Sequence, residues 1–201
     1  MTGTFKQTVS IEKFIQDGHN LVIKNDSYLI SYPEFLKYFK DLEIITKHNL
    51  IIGIHFTYGW MPTIFDFREK NFDVCLELLN NAKKGSILTA GELALLKALL
   101  NNSLVGTSKL LHFINPDKYA IWDSRVYRYL TNKPPYEHNI GKCETYLAYL
   151  EFCNYLIQQP QFISLKENIE KKTEYTLSNL RIVELVMFSN GKKQNPEDIK
   201  E

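Results

Sequence analysis

The chain has 201 residues, of which 44% are hydrophobic and 13% aromatic, so it can bury a core over most of its length and is too apolar for an intrinsically disordered protein. Its 24 Lys and Arg residues are balanced by 23 Asp and Glu residues, and a net charge of +1 excludes a protein whose whole surface attracts nucleic acid. Any nucleic-acid site must therefore be a local basic surface.

The cysteines and the apolar stretches limit the class of protein further. Cys75, Cys143 and Cys153 are widely spaced, which matches neither a disulfide framework nor a CxxC metal motif and excludes an iron–sulfur cluster held by four thiolates. The first 20 residues contain no apolar core of signal-peptide length. The apolar stretch 50–56 is far too short to span a bilayer. We therefore expect a soluble, cytoplasmic protein.

The N-terminal part contains the main strand candidate, residues 20–32, in which Asn25-Asp26 could form the turn of a small β-hairpin. The next segment, 31–42, begins with S-Y-P-E, a capping box with Pro33 in the first turn, and predicts a helix that starts at residue 31.

Apolar residues at helical spacing predict further helices along the rest of the chain. Gly85 is expected to end one of them, and Thr89 with Glu92 three residues later forms a capping box for the next. The predicted helical segments are 31–42, 44–58 with a turn at 59–62, 71–85, 89–102, 109–114, 123–131, 143–159 and 173–191. The fold class is therefore mainly α, with one globular unit over 1–191 and a flexible charged tail over 192–201.

Two adjacent features could carry chemistry. A tight turn at 103–108 between two short helices would expose backbone N–H groups to an anion such as phosphate. Gly106 would supply a positive φ, and Thr107 and Ser108 would supply hydroxyl donors. The alternative for this segment is an ordinary connection between two packed helices.

The second feature is Asp123, which follows the apolar run Tyr119–Trp122 and precedes a helical pattern. Asp is a preferred N-cap residue, so Asp123 is either a cap or a functional carboxylate, and the two roles are compatible. A local excess of cations surrounds it, since residues 109–142 contain six Lys or Arg and three acids. This excess could contact phosphates although the whole chain is nearly neutral.

These segments resemble a known family. LVGTSK (104–109) followed by AIWDSRVYR (120–128) is similar to the helix-hairpin-helix DNA glycosylase superfamily of the endonuclease III type, in which a hairpin L-P-G-V-G and a helix precede an apolar segment ending in D-T/S-H/R-V-x-R. The resemblance implies that Asp123 is the catalytic aspartate. It also places Lys109 at or next to the nucleophilic lysine of the bifunctional members. Val105 replaces the hairpin proline and Ser108 its second glycine.

The resemblance further implies a two-lobed helical bundle with a cleft holding Asp123, and excision of a damaged or modified base from duplex DNA. No two histidines have a metal-binding spacing with an acidic partner, so no metal site is predicted, and no cofactor is expected. The expected DNA contacts are Leu104, Val105, Gly106, Thr107, Ser108, Arg125, Arg128 and Lys133. A displaced base needs aromatic walls, and the candidates are Tyr58, Trp60, Trp122 and Tyr127.

Each of these residues also has a purely structural interpretation. Lys109 could be a solvated lysine, Arg125 and Arg128 could pair with acids of a neighbouring helix, and Trp60 and Trp122 could be core aromatics. His48, His55 and His112 lie on apolar faces and are interpreted as core or edge histidines. The rival functions are a non-catalytic helical module that binds nucleic acid or protein, and a regulatory or defence-associated partner protein.

Overall fold

The computed structural model describes residues 2–23, 27–61, 63–66, 71–173 and 176–192. All regular secondary structure in these ranges is helical, which confirms the mainly α fold class. The helices are α1 Thr2–Thr8, α2 Ile11–His19, α3 Ser27–Lys40, α4 Lys47–Trp60, α5 Phe72–Lys83, α6 Ala90–Leu99, α7 Leu104–Ile114, α8 Ser124–Thr131, α9 Glu137–Ile140, α10 Cys143–Ile157, α11 Gln161–Glu170 and α12 Asn179–Asn190.

Local end signals fix several of these helices as predicted. Thr89 caps α6, and the Glu92 side chain accepts the Thr89 backbone N–H in return. Gly85 has a φ of +104° just after α5, a conformation that glycine adopts without steric cost. The start of α4, predicted at residue 44, lies three residues later at Lys47, where Thr46 and Asn49 form a second capping box.

The strand interpretation of residues 20–32 is wrong where the structure describes them, because residues 27–32 belong to α3 and residues 20–23 form no strand. The predicted turn at Asn25-Asp26 lies outside the described residues, as does the predicted tail from residue 193 onward.

The predicted start of a helix at residue 31 is also wrong, since α3 begins at Ser27 and contains Pro33 in its interior. A proline inside a helix removes one backbone hydrogen bond. The local sequence therefore favours a helix that starts just before Pro33 over one that continues through it. Tyr32 and Phe39 are both completely buried two turns apart on this helix. Tertiary packing of one face therefore outweighs the local preference for a break.

The predicted glycine turn at 103–108 is not formed. These residues lead directly into α7, with Ser103 as its N-cap and the Gly106 N–H donating to the Ser103 hydroxyl at 3.1 Å. The chain reverses earlier, at Asn101 and Asn102, which have φ values of 54° and 55°. Asparagine tolerates the left-handed region better than most residues, so no glycine is needed there.

Gly106 has a packing role instead of a conformational one. A Cβ atom at this position would lie 2.7 Å from the hydroxyl oxygen of Tyr58. That hydroxyl donates a 2.6 Å hydrogen bond to the carbonyl oxygen of Leu100, the C-cap residue of α6, which links α4 to the end of α6. The absence of a side chain at Gly106 is what allows α4 and α7 to approach each other here.

Buried apolar side chains from α1 to α8 and from α10 to α12 form one hydrophobic cluster. The central helix is α7, which packs against α3, α4, α5 and α6 and buries three polar residues, Thr107, Ser108 and His112. On the other side α12 packs against α8 and α10. Polar groups that the core encloses around α7 and α12 form the site described next.

Candidate functional site

The segment Tyr119–Trp122 is buried, has no regular secondary structure and leads into Asp123. Tyr146 and Tyr149 of α10 donate hydrogen bonds to its two central carbonyl oxygens at 3.0 and 3.1 Å. The Ser108 hydroxyl of α7 accepts the backbone N–H of Trp122 at 2.9 Å. Neighbouring side chains thus satisfy the backbone of an irregular buried segment, and the position of Asp123 is fixed.

Asp123 uses its two carboxylate oxygens differently. Oδ1 accepts the backbone N–H of Arg125 at 2.8 Å, which makes Asp123 the N-cap of α8. Oδ2 lies 3.8 Å from Nζ of Lys109 on α7, and the two side chains are 17% and 12% exposed. The cap interpretation and the functional interpretation are therefore compatible, and the two residues that the family resemblance singled out lie side by side.

Lys109 is not the solvated lysine of the structural alternative. Its Nζ atom lies 5.4 Å from the centre of the Trp60 ring as well as beside Asp123. Burial lowers the pKa of Lys109, an effect that Asp123 and Glu184 oppose and Arg181 reinforces. A lowered pKa favours the uncharged amine, which is the nucleophilic form of lysine.

A second ion pair lies next to the first and was not predicted. Arg181 and Glu184, three residues apart on α12, form a buried pair. The Arg181 guanidinium carbon lies 4.8 Å from the ring centre of Tyr32 and 5.8 Å from that of Trp60. Burial raises the pKa of the Glu184 carboxyl, and Arg181 counteracts this. The signal in the sequence was two charges one turn apart in an otherwise apolar helix.

His112 orients Tyr32, which packs against Arg181. Its Nδ1 lies 2.6 Å from the carbonyl oxygen of Tyr119, and its Nε2 lies 2.7 Å from the Tyr32 hydroxyl oxygen. A carbonyl only accepts, so Nδ1 carries the hydrogen. Burial, helped by Arg181, lowers the pKa of His112 to about 3, so the ring is neutral and Nε2 accepts the Tyr32 O–H. The core interpretation of His112 is confirmed.

The predicted DNA contacts around residues 104–108 lie mostly inside the protein. Leu104, Gly106, Thr107 and Ser108 are buried, and Val105 is partly buried. The hydroxyl of Thr107 donates to the Ser103 carbonyl at 2.8 Å, within the first turn of α7. The backbone of this segment therefore does not present the phosphate-binding turn expected from the sequence.

The two predicted DNA-contacting arginines join α8 to the end of α12. The Arg125 guanidinium carbon lies 4.5 Å from the ring centre of Phe188, and Arg128 Nε donates to the carbonyl oxygen of Gly191 at 3.1 Å. Both arginines are partly exposed, whereas Lys133 is exposed. Of these three cations, Lys133 is thus the most accessible to a phosphate.

Three of the four predicted pocket aromatics are core residues. Tyr58, Trp122 and Tyr127 are buried, and Trp122 Nε1 donates to the carbonyl oxygen of Ile140 at 2.8 Å. Trp60 is partly exposed and faces both Lys109 and Arg181. Of the four, Trp60 is the only ring that is partly exposed, and it borders the Lys109–Asp123 pair.

Within the described ranges, no group of three or more His, Cys, Asp and Glu side chains is arranged to hold a metal ion. None of the helices in those ranges is both long enough and apolar enough to cross a membrane. Comparison of the chain with protein-family models, curated proteins and solved structures gives no match.

Proposed function

We propose that this protein cleaves the N-glycosidic bond of a damaged or modified base in DNA, with Asp123 and Lys109 as catalytic residues. The observation that carries the proposal is the 3.8 Å approach of the Lys109 amine to the Asp123 carboxylate at the edge of the core. The family resemblance singled out this pair from short sequence motifs, without knowledge of their separation.

The pair has the properties that the reaction needs. Cleavage of the bond between C1′ and the base nitrogen builds positive charge on the sugar, and a fixed carboxylate stabilises that charge. Asp123 is fixed by its bond to the Arg125 N–H, and burial favours the uncharged amine of Lys109. A nucleophile beside a carboxylate that can take its proton is a recurrent catalytic arrangement.

In the proposed reaction Lys109 is the nucleophile and Asp123 accepts its proton. Nζ of Lys109 attacks C1′, the electron pair of the glycosidic bond leaves with the base, and the base takes up a proton from water. The amine loses a proton to Asp123. The C1′–O4′ bond then breaks as the nitrogen lone pair forms the C1′=N bond of a Schiff base, and O4′ takes the proton from Asp123. Since both side chains are largely buried, the target nucleotide must leave the base stack to reach them.

The alternative is a non-catalytic helical module that binds nucleic acid or protein. One observation favours it: the Gly106 N–H, expected to bind phosphate, is used by the Ser103 hydroxyl. This alternative predicts binding without base release.

The test is base release from oligonucleotides that carry different modified bases, combined with borohydride reduction of any Schiff base. We expect the wild type to release at least one base and to form a reduced protein–DNA adduct. Lys109→Gln should abolish the adduct, whereas Lys118→Gln, which changes an exposed lysine nine residues along the chain, should leave it unchanged. Absence of base release from the whole panel would refute the proposal. Base release without an adduct would show that the nucleophile is water, assisted by Asp123, and not Lys109.

A further inference from the structure

The Trp60 ring connects the two ion pairs of the site. Lys109 Nζ lies 5.4 Å from its centre and the Arg181 guanidinium carbon 5.8 Å from it. Arg181 is only 7% exposed and is held by Glu184, which is 2% exposed. Two cations thus share one aromatic ring, and each has its own carboxylate.

The position of Arg181 is fixed from several sides. Its guanidinium carbon also lies 4.8 Å from the ring of Tyr32, whose hydroxyl is committed to His112. Replacing a buried ion pair by apolar residues is often neutral or stabilising, so a buried pair is weak evidence of a stabilising role. A pair that borders a reactive lysine therefore requires another explanation.

We infer that Arg181 is a positioning residue for Lys109: held by Glu184 and Tyr32, it shares the Trp60 ring with the lysine and directs the Lys109 amine toward Asp123. This inference rests on the proposed role of Lys109 as the nucleophile. It adds α12 to a site that the sequence motifs confined to α7 and the start of α8.

Three charged groups of the described residues act on the Lys109 amine, namely Asp123, Glu184 and Arg181. The two acids raise the pKa of Lys109, and Arg181 lowers it. His112, one turn along α7, is neutral because burial lowers its pKa to about 3. From α4 the uncharged Trp60 ring lies against Lys109, and from α3 the uncharged Tyr32 ring lies against Arg181. The two members of the α12 pair therefore shift the pKa of Lys109 in opposite directions.

The experiment measures the rate at which limiting acetic anhydride labels Lys109 as a function of pH, by mass spectrometry of the full chain. Arg181→Met should move the labelling profile to higher pH, and Arg181→Lys, which keeps the charge, should restore it. Glu184→Gln should move the profile to lower pH. Labelling near neutral pH should fall several-fold in the first case and rise several-fold in the last.

A purely structural pair would not give opposite shifts. Profiles that stay unchanged in folded Arg181→Met and Glu184→Gln proteins, or that both move the same way, would overturn the inference. One folded variant is enough for the test, because each is expected to move the labelling profile in a definite direction. If neither folds, Arg181→Gln, which removes the charge but keeps a polar side chain, takes their place: its profile should move to higher pH, and an unchanged profile in the folded protein would overturn the inference.

Labelling needs no DNA, so its outcome is independent of base release. Opposite shifts in a protein that releases no base would keep the role of Arg181 toward Lys109 and reject the glycosidic reaction. Base release together with unshifted labelling profiles would support the proposed reaction and refute the positioning role of Arg181.

Discussion

The buried His112 makes the stability of the protein depend on pH in a way that can be calculated. Its ring is neutral, donates to the Tyr119 carbonyl and accepts from the Tyr32 hydroxyl. We expect acidification from pH 7 to pH 5 to destabilise the wild type through this residue. His112→Gln should lack this contribution, because an amide offers one donor and one acceptor but does not titrate.

The size of the effect follows from the difference in pKa between the two states. The pKa of His112 is lowered from its ordinary value of 6.5 to about 3, mainly by burial. The unfolded chain therefore binds a proton below pH 6.5, whereas the folded protein does not until about pH 3. The stabilisation is present at pH 7 and is lost as the pH falls through this window. At pH 5 the loss amounts to about 2 kcal/mol, since each pH unit below 6.5 contributes about 1.4 kcal/mol.

The assay is urea unfolding of the wild type and of His112→Gln at pH 7 and pH 5. The quantity to compare is the loss of unfolding free energy between the two pH values, because other groups titrate equally in both proteins. We expect the wild type to lose about 2 kcal/mol more than the variant. Equal losses in the two proteins would show that His112 is not neutral and enclosed as described.

Three further predictions concern packing and hydrogen bonding in and beside α4 and α7. Gly106→Ala should destabilise the protein by about 1–3 kcal/mol, because the new Cβ would lie 2.7 Å from the Tyr58 hydroxyl oxygen. Gly59→Ala, a helical glycine with no atom within 4 Å of the new Cβ, should stabilise it by roughly 0.5–1 kcal/mol, and equal melting temperatures for the two variants would contradict this. Ser108→Ala should cost about 1–3 kcal/mol in urea unfolding by leaving the buried N–H of Trp122 without its acceptor, and an unchanged midpoint would show that another group satisfies it.

Local patterns in the sequence predicted the parts of the fold that local contacts determine. The capping box joins Thr89 to Glu92, three residues later, and the helix end at Gly85 depends on the conformation of that one residue. Both features are present. The helices α1, α2 and α11 were not predicted. The errors at Pro33 and Gly106 occur where distant residues decide. Gly106 was expected to turn the chain because its contact with Tyr58, far away in the sequence, could not be foreseen.

The sequence motifs likewise identified only some of the residues of the candidate site. The motifs named Lys109 and Asp123, and the structure places them together. Arg181 and Glu184 were missed because no motif includes them and only a three-dimensional structure brings α12 against α8. The predicted aromatic walls were chosen by residue type, which does not reveal that Trp122 faces the core and Trp60 faces Lys109.

The most direct test of the proposed function is base release by Asp123→Asn compared with the wild type. Asparagine is nearly as good an N-cap as aspartate, so the Arg125 N–H keeps an acceptor and the change of cap should cost only a few tenths of a kcal/mol. The variant also loses the ion pair with the largely buried Lys109, so its melting temperature is compared with that of Lys109→Gln, which loses the same pair. Loss of the charge should slow base release by about two to four orders of magnitude, roughly 3–5 kcal/mol of barrier. Asp117→Asn, at an exposed position, is the matched control and should remain fully active. Activity lost in an Asp123→Asn protein that is still folded at the assay temperature is the predicted result, and an Asp123→Asn protein as active as the wild type would show that Asp123 is only a helix cap.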